Sequence, residues 1–193
     1  MIVLNIGLCL IVMAILVIAI RVILDRTKAL THASFRDQTT QLLNRRAFEE
    51  DKEKLTANPL DEDFAYVTAD LNGLKQANDH LGHTAGDELI RGAADCLRAV
   101  FGPHGQVYRI GGDEFAVMMK IQPESLDRAM KELEEKTAAW QGEKVKELSI
   151  SCGYVTAREF PSENLQELIR ISDERMYAAK DEYYRTTGRQ RRT

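Results

Sequence analysis

Three acidic side chains fall where short β-rich runs end. Asp70 closes the run Phe64 to Ala69, and Asp113 and Glu114 lie in a turn between Gln106–Ile110 and Phe115–Met119. If these strands are neighbours, hard carboxylate oxygens converge on one spot. Oxygen ligation with few protein carboxylates suits Mg²⁺, which keeps waters and takes its other ligands from a nucleotide's phosphates. Just past Asp70 the turn Leu71-Asn72-Gly73-Leu74 opens a helix, with Lys75 in its first turn. Backbone N–H groups at such a helix start, with one lysine, make a phosphate cradle. Together these groups point to nucleotidyl transfer, in which a metal stabilises the transferring phosphoryl group and activates a ribose hydroxyl. Each piece alone also has a plain reading. Asp113-Glu114 beside two glycines reads as a hairpin turn, Asp70 as a helix cap and Lys75 as a solvated charge. Asp87 reads as an acid favoured by the dipole in a helix's first turn. The combination carries the chemistry.

The elements that must hold these groups alternate between α and β. Leu89, Ala93, Leu97 and Val100 place a helix over 85–101, and Leu126, Ala129, Met130, Leu133, Thr137 and Trp140 mark another. Leu148–Thr156 is a further strand, and Asn164 with Glu167 starts a last helix in the manner of a capping box. Gly111 and Gly112 are expected to supply the positive φ angles of a tight hairpin turn. The order is β-α-β-β-α-β with a further helix. It predicts an α+β fold with a ferredoxin-like antiparallel sheet and helices on one face.

Composition narrows the function. The chain has 193 residues, 44% hydrophobic and 29% charged, enough for one packed domain with some length left over. Its net charge of −4 argues against a nucleic-acid polymer as partner. Cys9, Cys96 and Cys152 are far apart and odd in number, so no disulfide framework is expected, and four histidines make a histidine-rich metal site improbable. The leftover length sits at the front. Residues 1–24 are almost wholly apolar, and Arg21, Arg26 and Lys28 follow the run with no lysine or arginine before it. This predicts a transmembrane helix, a single-pass protein of the inner membrane and a cytoplasmic body. Residues 25–36 read as a short stalk, 37–185 as the catalytic domain and 186–193 as a basic tail.

Several ordered strings in the body resemble one family. Arg109-Ile110-Gly111-Gly112-Asp113-Glu114-Phe115 resembles the signature of the GGDEF domains, the diguanylate cyclases. So does Asp70-Leu71-Asn72-Gly73-Leu74-Lys75, continuing through Asn78-Asp79 and Gly82-His83-Thr84-Ala85-Gly86-Asp87. Asp37 to Arg46 (DQTTQLLNRR) resembles the opening motif, and Ser172 to Lys180 (SDERMYAAK) the closing helix. The resemblance covers about Phe35 to Tyr184.

It implies a homodimer that condenses two GTP molecules into cyclic di-GMP and releases pyrophosphate, using Mg²⁺ or Mn²⁺. Asp70, Asp113, Glu114 and the backbone carbonyl of Leu71 are then the metal ligands, and Asp113 accepts the 3′-hydroxyl proton beside Glu114. Gly111 and Gly112 admit the nucleotide. Asn78 and Asp87 bond the guanine edge, and Lys75 and Lys180 hold the terminal phosphates. Three departures stand out. Thr39 and Gln41 replace the usual leucine and glycine of the opening motif. Tyr183-Tyr184-Arg185 replaces Gly-Arg-Asn, so either Arg185 substitutes one position late or a phosphate contact is missing. The product-binding arginine-x-x-aspartate turn is absent, its place being taken by Gly102-Pro103-His104-Gly105. The alternative is a catalytically silent domain that binds nucleotide or another protein.

Overall fold

The periodicities resolve, among the described residues of the body, into strands β1 (Leu43–Asn44), β2 (Phe64–Leu71), β3 (Gly105–Arg109), β4 (Glu114–Lys120) and β5 (Ile150–Thr156). Between and after them run helices α1 (Arg45–Thr56), α2 (Leu74–Leu81), α3 (His83–Phe101), α4 (Pro123–Ala139) and α5 (Leu165–Thr187). The structure, a computed structural model, describes residues 13, 15–21, 35–57 and 59–188. The chain divides into two units, Met1–Arg36 and Asp37–Thr193.

In the first unit, residue 13 and residues 15–21 are helical. Among the described residues no helix is long and apolar enough to cross a membrane. The transmembrane expectation is therefore corrected, and with it the membrane location and the membrane as a partner. The rest of residues 1–24, and residues 25–34 of the expected stalk, lie outside the described residues.

The sheet of the second unit runs β1-β3-β4-β2-β5. β2 is an interior strand, antiparallel to both β4 and β5, while β1 joins β3 in parallel and makes the sheet mixed rather than wholly antiparallel. A two-residue strand carries no alternation, which is why the sequence pattern does not announce it.

All eight residues of β2 are buried, so both faces of the sheet must be covered. Ala65, Val67, Ala69 and Leu71 face one hydrophobic cluster with Leu89 and Leu97 of α3 and Leu126 and Leu133 of α4. On the opposite face the Tyr66 and Tyr108 rings lie 6.4 and 5.5 Å from Phe48 of α1, and the Thr68 N–H donates to Ser172 Oγ of α5 at 2.9 Å. Helices thus pack on both faces, not one. The helix expected over 85–101 begins at His83, and Gly82, at φ 83°, breaks the chain between α2 and α3. That left-handed turn is where glycine costs least. α5 starts as expected, with Asn164 Oδ1 accepting from the Glu167 N–H at 3.0 Å.

Candidate active site

Strand register brings the acids together. Asp70 lies opposite Glu114 in the β2–β4 ladder, and the Leu71 N–H donates to the Asp113 carbonyl at 2.9 Å. The Asp70 side chain is only 7% exposed and accepts from Lys180 Nζ at 2.6 Å. Burial pushes the Asp70 carboxyl above its ordinary value, Lys180 pulls it down, and the charges of Asp113 and Glu114 push it up again. Asp113 is half-buried and Glu114 exposed. Among the described residues no group of three or more His, Cys, Asp or Glu side chains is gathered so as to hold a metal ion unaided. A Mg²⁺ ion does not need one, because it accepts one or two carboxylates and completes its shell with water and phosphate oxygens. The donor set at this strand end, all hard oxygen, fits that ion.

The expected phosphate cradle begins where β2 ends. Gly73 sits at φ 75° as the N-cap of α2, and no side chain caps the helix. The first N–H groups of α2 are therefore not taken by a capping side chain, Asp70 included, and Lys75 is exposed one position into the helix. Lys180 reaches the same strand end from α5 but is spent on Asp70. Arg185 bonds Glu182 from Nε at 3.1 Å and from Nη2 at 2.5 Å, one turn further along α5. The turn itself is held by Asn72, a residue the sequence reading did not single out. Its side chain donates to Ser149 Oγ at 3.0 Å and Ser151 Oγ at 2.9 Å, and its N–H donates to the Ser149 carbonyl at 2.9 Å. A short polar residue at a strand end, facing two serines 77 and 79 positions away, has no local signature.

Asn78 and Asp87 are carried by the α2–α3 pair. A Cβ built on Gly86 would lie 2.1 Å from Asn78 Oδ1, so the missing side chain lets the Asn78 amide press against α3 beside Asp87. Asp87 is exposed and lies beyond the first turn of α3, where the helix dipole no longer explains an acid.

The signature turn departs from expectation. Neither Gly111 nor Gly112 has a positive φ, so the glycines do not serve a tight left-handed hairpin. A Cβ on Gly111 would meet Glu114 Oε2 at 2.4 Å, while one on Gly112 would meet nothing within 4 Å. Gly112 faces open space. Its carbonyl accepts from Arg109 Nη2 at 2.9 Å, and Nη1 of the same guanidinium donates to Asp37.

The chain matches the family model for "Diguanylate cyclase, GGDEF domain" over residues 34–185. The chain is a member of the GGDEF family. This GGDEF chain is 29% identical over 152 residues to the diguanylate cyclase VdcA of Vibrio cholerae, covering 75% of this chain and 44% of the relative. It is 27% identical over 161 residues to the probable diguanylate cyclase DgcT of Escherichia coli, covering 80% and 35%. It is also 31% identical over 154 residues to the cyclic di-GMP phosphodiesterase PdeB of Shewanella oneidensis, covering 75% and 17%. The chain thus spans less than half the length of these curated relatives. The coiled coil and GGDEF domain of DgcB from Caulobacter crescentus, solved with c-di-GMP, shares the fold at TM-score 0.75 and 21% identity, covering 88% and 92%.

Proposed function

We propose that the chain is a diguanylate cyclase that joins two GTP molecules into cyclic di-GMP and releases two pyrophosphates, with two copies facing each other. The observation that carries this reading is the pairing of Asp70 with Glu114 across β2 and β4, one backbone bond from Asp113 and beside the uncapped start of α2. In each of two identical steps the 3′-oxygen of one nucleotide bonds to the α-phosphorus of the other. The bridging α–β P–O bond breaks, and the electron pair leaves with pyrophosphate. Asp113 takes the hydroxyl proton. Lys75 and Lys180 hold the terminal phosphates, which requires Lys180 to turn from Asp70. Asn78 and Asp87 accept from and donate to the guanine edge as their chemistry allows, the carboxylate taking the N1–H and amino group. Asp70, Asp113, Glu114 and the Leu71 carbonyl would hold Mg²⁺ or Mn²⁺, which when bound neutralises phosphate charge and acidifies the 3′-hydroxyl.

The test is the full chain with GTP and Mg²⁺ at several protein concentrations. Cyclic di-GMP should form, with specific activity climbing with concentration, because one cradle holds one guanylate. Constant specific activity from a monomer would contradict the facing arrangement.

A second reading, a silent nucleotide-binding domain, is favoured by one feature. Tyr184 stands where the family resemblance places an arginine, and Arg185 is engaged with Glu182. GTP binding without product would select it.

A further inference from the structure

The segment between α4 and β5 touches both ends of the candidate site. At its start the Trp140 indole lies against the α3 backbone, since a Cβ on Gly92 would come within 2.6 Å of Trp140 Cε2 and Nε1. In its middle the consecutive N–H groups of Glu143, Lys144 and Val145 donate to the single carboxylate of Glu88 at 2.5, 3.0 and 3.0 Å. Lys144 Nζ donates to Thr84 Oγ1 at 2.6 Å. Thr84, Glu88 and Gly92 are spaced by four, a single stripe along the first turns of α3. At its far end the segment passes into Ser149 and Ser151, which hold the Asn72 side chain and backbone. The turn also closes on itself, with the Gly142 N–H donating to the Val145 carbonyl at 3.0 Å.

We propose that Trp140–Ser149 is a strap that fixes the helix carrying Asp87 relative to the turn that follows Asp70, with Glu88 and Asn72 as its two positioning residues. This rests on the reading of Asn78 and Asp87 as the guanine end and of Asp70, Asp113 and Glu114 as the metal end. A ligand that spans the two ends, base at one and triphosphate at the other, is held well only if their separation is fixed. The nearest competing role for Glu88 is to stabilise a loop. Three backbone donors on one half-buried carboxylate do stabilise it. Burial pushes the Glu88 carboxyl up, and those donors outweigh it and hold it below its ordinary value. The strap adds a consequence that a loop anchor lacks. Cutting it must move the guanine end without touching a group that contacts the nucleotide.

The experiment compares wild type, Glu88→Ala and Glu88→Gln in the full chain. Calorimetry measures binding of a GTP analogue with an uncleavable α–β bridge and of its adenine counterpart, and kinetics measures KM and kcat. Glu88→Ala should weaken GTP-analogue binding and raise KM about tenfold, with kcat changed by less than about threefold, and narrow the guanine-over-adenine preference. Glu88→Gln keeps one acceptor oxygen and should recover part of the loss. A folded Glu88→Ala protein with unchanged KM and unchanged base preference overturns the strap. If Glu88→Ala does not fold, Lys144→Met cuts the Thr84 tie and is read the same way, with a smaller shift supporting the strap and none overturning it. Wild type that binds the analogue but makes no product sinks the cyclase reading and leaves the strap to the binding arm. Wild type that binds no guanine nucleotide overturns both.

Discussion

Arg109 donates to both carboxylate oxygens of Asp37, at 3.0 and 3.2 Å, and to the Gly112 carbonyl at 2.9 Å. One guanidinium thereby joins the first residue of the second unit to the signature turn. The pair is largely shielded, at 13% and 23% side-chain exposure. Burial works against the Asp37 carboxylate, but donors from Thr40 and Arg109 outweigh it and hold its pKa below the ordinary value. Among the described residues Arg109 Nε is buried without an acceptor, a cost offset by the three bonds its other nitrogens make.

Arg109→Lys keeps the charge and loses the fork. The variant should lose about 1–2 kcal/mol of stability and make cyclic di-GMP roughly tenfold more slowly. Denaturant melts and initial rates check this, and wild-type rates would mean that the turn does not need its tie to Asp37.

Asp70 and Lys180 should respond oppositely to removal. The folded pKa of Asp70 lies above the unfolded value near 3.8, so the native state holds its proton longer as pH rises. Stability therefore falls as pH climbs from below 3.8 through the folded pKa, and the penalty is fully present at neutral pH. Without divalent ions Asp70→Asn, which still offers Lys180 an acceptor, should melt above wild type at pH 7.5 and lose that advantage below pH 3.8. Lys180→Met leaves a buried carboxylate unpaired and should cost roughly 3–5 kcal/mol. Melts of both proteins across pH test the pair, and a destabilised Asp70→Asn would reverse the sign.

Gln41 occupies φ 60°, the left-handed region, at the place where the opening motif of the family carries glycine. A side chain there costs about 1–2 kcal/mol, partly offset by the extra freedom glycine has when unfolded. Gln41→Gly should therefore stabilise the protein by about 0.5–1 kcal/mol, read as a higher denaturation midpoint at constant slope.

The fold was legible where side-chain patterns are long. Leu89 to Val100 showed the helical stripe of α3, and Asn164 with Glu167 showed the start of α5. The two-residue β1 and the covering of both faces were not, because each depends on pairing across the sheet. At the site, Asp70, Asp113 and Glu114 stood out by their places at strand ends. Asn72, Arg109 with Asp37, and Glu88 with 143–145 did not, since their partners lie tens of residues away and follow no periodicity. The glycines of the signature illustrate a different limit. A turn pattern predicts backbone handedness, whereas the structure shows ordinary φ at both, a Gly111 Cβ position filled by Glu114 and an open one at Gly112.

The turn Gly102-Pro103-His104-Gly105 joins α3 to β3 plainly, with the His104 N–H on the Phe101 carbonyl at 2.9 Å. It carries neither an arginine nor an aspartate, and His104 is a poor stand-in for a permanent cation. Added cyclic di-GMP should not inhibit at submicromolar concentration. Inhibition that vanishes on mutating residues 102–105 would reverse this.

The place of β2 between β4 and β5 also sets the order in which the site can form. β2 leaves the ribosome early, yet its neighbours are β4 and β5, and the Lys180–Asp70 contact closes across 110 positions. Loop-closure entropy on that scale makes such contacts late events. A nascent chain that ends before Ile150 holds Phe64–Leu71, buried on both faces in the finished fold, as an open edge prone to pair with another chain. Synthesis through α5 is what turns that liability into the strand end that carries Asp70 beside Glu114.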